Sequence, residues 1–161
     1  MKKGFTLVEL MAVIAILGVL ALLIVPNVIE GFNKANTNTM QIQENQVLDA
    51  TKLFMEDFCR HPINSEYRTQ CNNSKKLMKT SGNVNTSYVC LKDIKDNGYL
   101  KDNVLYGGST ICNGFITMTN TNGTTEYSNY KVYLKCNDDY ETAGINDQVT
   151  SSGQSVINLC N

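Results

Sequence analysis

The sequence predicts an α+β fold: one long N-terminal helix packed on a small antiparallel sheet, stapled by disulfides. Three observations predict it. An apolar block near the N-terminus runs on into an amphipathic stretch, strand-like segments are confined to the second half, and all six cysteines lie beyond residue 58. The 161 residues suit one domain plus an appendage, not two full domains. Side-chain charges nearly cancel, with 14 Lys+Arg against 15 Asp+Glu. No basic surplus exists to neutralise phosphates, which argues against a dedicated nucleic-acid-binding module. One histidine, His61, and no tryptophan argue equally against a His-based triad or a multi-His metal site.

The first element is the apolar block. From Phe5 to Val25 the chain reads FTLVELMAVIAILGVLALLIV, with only Thr6 and Glu9 polar. At about 1.5 Å per residue such a helix spans roughly 31 Å, matching a hydrocarbon core of about 30 Å. Lys2 and Lys3 precede it, so the positive-inside preference holds that end in the cytoplasm and sends the residues after Pro26 outward. A cleaved secretory signal has a shorter apolar region, about 7–15 residues, ending in a small-residue site. Here the block runs straight into VPNVIEG.

Glu9 stands out within that block. An acidic group at the centre of a spanning helix costs about 2.5–3.5 kcal/mol on insertion scales, and less near the interface. One reading is a shallow residue reaching the headgroups. The sharper one is a carboxylate that needs a cationic partner in the membrane or in an assembly.

Lys2-Lys3-Gly4-Phe5-Thr6-Leu7-Val8-Glu9-Leu10, followed by this apolar block, resembles the leader junction of type IV prepilins and pseudopilins. The resemblance covers roughly the first 30 residues. It implies cleavage between Gly4 and Phe5 by the prepilin peptidase, N-methylation of Phe5, and Glu9 as fifth residue of the mature chain. Gly18 and Pro26 fall where family members carry a helix-loosening glycine and proline. Cleavage creates a terminal ammonium, which the Glu9 carboxylate of a neighbouring subunit can neutralise in a low-dielectric surround, setting a register between stacked helices. The resemblance further implies a pilin fold, a single-pass membrane precursor and an extracellular filament for adhesion, aggregation or motility. Its implied partners are other pilin subunits, an assembly platform and an ATPase, with no cofactor and no direct nucleic-acid binding. A pseudopilin of a type II secretion or DNA-uptake system and a minor tip pilin share the same architecture. In these terms the chain divides into a leader at 1–4, a transmembrane or filament-core helix at 5–26, the amphipathic half of the long helix at 27–60, and a head at 61–161 with a C-terminal disulfide-bounded loop.

The remaining elements follow in order. Val28, Phe32, Ala35, Ile42, Val47, Ala50, Phe54 and Phe58 recur at roughly helical spacing. One helix is therefore expected from about Phe5 to Arg60, loosened near Pro26 and Gly31, with its second half against the head. The Asn36–Thr39 run is poor in helix formers. His61-Pro62 ends the helix, because the residue before proline avoids helical geometry. Residues 61–87 read as a polar surface loop. Cys90–Leu100 suggests a short helix closed by Gly98. Gly114–Asn120 and Thr125–Cys136 read as strands joined at Asn122-Gly123, a hairpin signal. The segment 137–153 reads as loop, and Ser155–Cys160 as a last strand.

Cys59, Cys71, Cys90, Cys112, Cys136 and Cys160 contain no C-x-x-C pair, which argues against zinc-ribbon and thioredoxin-like sites. In an exported domain they read as three disulfides, with 15 pairings open; the other reading leaves some thiols free. Family resemblance alone implies Cys136 with Cys160. Asp138, Asp139, Glu141 and Asp147 lack EF-hand spacing and read as solvated, so no metal site is expected. Gly107-Gly108-Ser109-Thr110 lacks the lysine and helix of a phosphate loop and reads as a turn. The eight tyrosines read as core and cross-strand packing. No catalytic residue is assigned; an anchored thiol enzyme needs a reactive thiolate beside a base, which these spacings do not supply.

Overall fold

The computed structural model describes residues 6–60, 64–122 and 124–161, and only the backbone at Pro26 and Asn27. Expectations for Gly4, Phe5, His61, Pro62 and Gly123 lie outside the described residues. The chain forms two compact units, Met1–Asn38 and Thr39–Asn161.

Helix α1, Leu7–Phe54, runs unbroken through Gly18 and Pro26. Within the first unit its apolar side chains are exposed, Leu7 at 74% and Phe32 at 67%. It is the one helix among the described residues long and apolar enough to cross a membrane, with a mean hydropathy of 2.9 over its most apolar 18 residues.

In the second unit, packing of α1 begins at Met40 and continues through Val47, Ala50, Thr51 and Phe54, all buried. This corrects the expected apolar stripe at its start: Val28, Phe32 and Ile42 are exposed, and Met40 takes the first core position. The helix then widens into a π-helical segment, Met55–Arg60, where a plain α-helix to residue 60 was expected. The wider turn keeps Phe58 stacked on Phe54, ring centroids 5.0 Å apart, and sets it 4.5 Å from Tyr67. Within the same turn Asp57 accepts a 2.7 Å hydrogen bond from Tyr99 OH.

The expected loop at 61–87 is instead structured. Helix α2, Ser65–Ser74, starts where Asn64 Oδ1 accepts from the Tyr67 amide at 2.9 Å. Strands β1, Lys75–Ser81, and β2, Val84–Cys90, pair through the two-residue turn Gly82-Asn83. Gly82 has φ +58°, as a turn with glycine at its first central position requires. Strand β1 lies at the edge of the sheet and buries only Met78, so lysines at 75, 76 and 79 are what an exposed edge carries.

Helix α3, Leu91–Asp96, ends before Gly98, which has φ +80°. Strands β3, Leu105–Tyr106, and β4, Thr110–Ile111, flank the Gly107–Ser109 turn. Strands β5, Asn113–Thr121, and β6, Ser128–Cys136, form the central hairpin. Its connection spans 122–127, longer than a two-residue turn. With β7, Tyr140–Glu141, the antiparallel sheet runs β1-β2-β5-β6-β7.

Both faces of this sheet are covered. Ile116, Met118 and Leu134 pack with Met40, Val47 and Phe54 of α1 in one core. Phe115, Tyr133, Tyr88 and Met78 pack with Ile145, Val156 and Ile157 in a second. The second core overturns the expected last strand: Val156–Leu159 is a helical turn, α4, laid over β5, and only Ser155 bridges, to Val149. Both edges of β5 are already taken by β2 and β6, so the residues from 156 on lie over its face and do not extend the sheet there.

The disulfides are Cys59–Cys71, Cys90–Cys160 and Cys112–Cys136. The Cys136–Cys160 pairing is therefore corrected, and strand register explains why. Asn113 pairs with Lys135, so Cys112 and Cys136 stand opposite each other, 4.0 Å apart at Cα. Cys160 follows α4 over the second face, where Cys90 ends β2 beside Phe115.

Candidate functional site

Of the residues singled out at the N-terminus, Glu9 is described, in the first turn of α1. Thr6 is its N-cap: the Thr6 carbonyl accepts from the Leu10 amide at 3.2 Å. Thr6 Oγ1 accepts from the Glu9 amide at 3.3 Å. In return, Glu9 Oε2 accepts from the Thr6 amide at 2.9 Å and from Thr6 Oγ1 at 2.8 Å. This is a reciprocal capping box, two end groups of the helix satisfying each other. The T-x-x-E spelling of Thr6 to Glu9 carries that signal, and the sequence reading above passed over it.

One consequence is electrostatic. Glu9 is the sole ionisable side chain between Thr6 and Ile29 and lies in the positive end of the helix dipole. Oε2 takes both Thr6 donors, and among the described residues Oε1 takes none. Around it Leu7, Val8, Leu10 and Met11 are exposed. The site is thus an anion in an apolar sleeve, half satisfied internally and open on one oxygen. It can accept a further hydrogen bond or an ammonium.

The head presents no rival constellation among its described residues. All six cysteines are disulfide-bonded. No group of three His, Cys, Asp or Glu residues is placed to hold a metal ion. The acidic residues near 140 are engaged separately, Asp139 with Thr110 Oγ1 at 3.3 Å and Glu141 with Lys135 at 3.6 Å. Glu44, on α1, instead accepts from Tyr140 OH at 3.0 Å and Thr142 Oγ1 at 3.3 Å, tying the helix to the β7 region. That bond, together with burial, raises the Tyr140 phenol above its ordinary value, burial contributing more. Gln43 does the same for β3, its amide donating to the Leu105 carbonyl at 2.8 Å and accepting from the Leu105 amide at 2.7 Å.

Residues 1–25 match the family model described as the prokaryotic N-terminal methylation motif. That motif is the N-terminal signal of type IV pilins and points to a structural protein. The match ends with the apolar block at Val25 and does not extend to the head. Among curated proteins and among solved structures, nothing matches the chain. The long helix on an antiparallel sheet, stapled by disulfides, is nonetheless a pilin-like α+β architecture. The apolar helix and the motif together fit a membrane-anchored precursor.

Proposed function

We propose that this chain is a structural subunit of a type IV pilus. The prepilin peptidase cuts between Gly4 and Phe5, Phe5 is N-methylated, and the mature subunit leaves the membrane to join a surface filament for adhesion, aggregation or motility. The observation that supports this most is Glu9: one carboxylate with an open oxygen, one helical turn from the cleavage point, on an otherwise apolar rod. A carboxylate costs about 2.5–3.5 kcal/mol at the centre of a spanning helix and less at the depth of Glu9, a cost that a plain anchor has no reason to carry. Against the Phe5 ammonium of a neighbouring subunit the same charge becomes a register mark, and the apolar sleeves of stacked copies cover each other. Gly18 and Pro26 give that rod local freedom to settle against its neighbours. The chain performs no catalysis and takes no cofactor; an assembly platform and ATPase drive the process.

N-terminal mass analysis of material sheared from cells tests the reading. An N-methylated Phe5 as first residue is expected; a retained Met1 would overturn it. Glu9→Ala should leave leader removal intact and lower filament yield more than about tenfold. Normal yield from that variant would refute the assembly role. Shearing that releases only short assemblies would assign the chain to a secretion-type pseudopilus.

A further inference from the structure

Two stretches of α1 differ in what holds them helical. From Met40 onward the side chains of Met40, Val47, Ala50, Thr51 and Phe54 are buried, and Gln43 is bonded twice to the Leu105 backbone. The stretch before it, Asn33 to Thr39, reads NKANTNT, and none of its side chains is buried. Five of these seven residues are Asn or Thr. Asn competes for its own backbone and Thr loses χ1 freedom, so both are weak helix formers. Packing, which normally overrides poor propensity, is slight here: Asn36 is half-buried and the other six side chains are exposed. Thr37 Oγ1 also donates to the Asn33 carbonyl at 3.0 Å. That is the acceptor the Thr37 amide uses in an α-helix, and such back-bonding weakens the turn. The division of the chain into two compact units falls at Asn38 and Thr39.

We propose that Asn33–Thr39 is a helical link that unwinds locally and reversibly while the rest of α1 keeps its structure. Going from about 1.5 to about 3.4 Å per residue, its seven residues lengthen the link by about 13 Å. If the N-terminal rod is fixed in a filament (the reading given above, on which only the use of the link rests), the link takes up strain before the head unfolds. Opening of this kind belongs to the low end of a protein's local stabilities, set by few buried contacts and solvent-facing backbone bonds.

Amide hydrogen exchange on the full-length chain in detergent micelles tests this without filaments. The amides of Asn36 to Met40 should exchange about 100-fold faster than those of Val47 to Phe54. Protection within about threefold of the latter would overturn the proposal. The triple variant Asn36→Ala/Thr37→Ala/Asn38→Ala should slow exchange at 36–40 by about tenfold or more and leave 47–54 unchanged. Unchanged exchange at 36–40 in that variant would overturn it too. Because the readout does not involve polymerisation, either reading can fail without the other.

Discussion

Removing the Cys90–Cys160 disulfide should cost the head more than removing either of the others. Its sequence separation is 70, against 12 for Cys59–Cys71 and 24 for Cys112–Cys136. The Cys112–Cys136 bridge is nested inside and short-circuits part of that loop, leaving an effective length of about 46 residues. The chain-entropy relation then gives about 4 kcal/mol for Cys90–Cys160 and about 3 kcal/mol for Cys59–Cys71. For a head of about 120 residues, 4 kcal/mol lowers Tm by about 15 °C. The assay is thermal unfolding of full-length Cys90→Ala/Cys160→Ala in detergent, followed by circular dichroism beside Cys59→Ala/Cys71→Ala. A Tm within about 3 °C of the parent, or a smaller loss than in the Cys59/Cys71 variant, would show that the bridge does not hold the C-terminal segment.

Three further outcomes follow from named contacts. Gly114→Ala places a Cβ 2.2 Å from the Tyr133 carbonyl oxygen and 3.2 Å from Leu134 Cα, backbone that cannot yield without losing the β5–β6 register. A loss of about 3 kcal/mol or more in urea unfolding is expected, and a neutral substitution would contradict the close approach. Gln43→Ala leaves the Leu105 amide and carbonyl without their side-chain partners, costing about 1–3 kcal/mol and speeding exchange of the Leu105 amide before that of Ile116. The Tyr130 phenol is pushed up to about 12, chiefly by burial and then by Tyr127. The folded state therefore keeps its proton to higher pH than the unfolded chain. Stability from this group is complete below pH 10 and falls as pH rises from 10 to about 12, so Tyr130→Phe should flatten that alkaline decline in a pH series of melts.

What the sequence made legible was what local chemistry dictates. The apolar block with its single carboxylate, the helix closed by Gly98 and the two strands of the central hairpin each depend on neighbours in the chain. Strand β1 was not legible because an edge strand that buries one residue, Met78, has no alternation to read. Its turn was spelled out, since Gly82-Asn83 is a two-residue hairpin signal hidden in polar surroundings. The pairing of Cys112 with Cys136 was fixed by strand register, and register is a property of two strands together. At the site the T-x-x-E spelling of Thr6 and Glu9 encodes a bond between residues three apart in the chain, whereas a partner on another subunit leaves no local pattern.

The second core ties these observations to the chain's economy of apolar residues. In β5, Phe115, Ile116, Thr117 and Met118 are buried in succession, which in an antiparallel sheet requires cover on both faces. Helix α1 covers one. The other falls to a polar C-terminal segment that contributes chiefly Ile145, Val156 and Ile157. Three apolar side chains bury too little surface to order a segment of that length, because each fixed residue costs about 1–2 kcal/mol of backbone entropy. A covalent tie that removes entropy from the unfolded chain supplies what burial does not, and Cys90–Cys160 reaches from the end of β2 to the end of that segment. The reason such a tie is needed lies at the other end of the molecule, where the longest apolar run is left exposed, free to face lipid or a second copy. A head whose second face holds so few apolar residues gains stability from that cross-link, and disulfides of this kind persist outside the reducing cytosol.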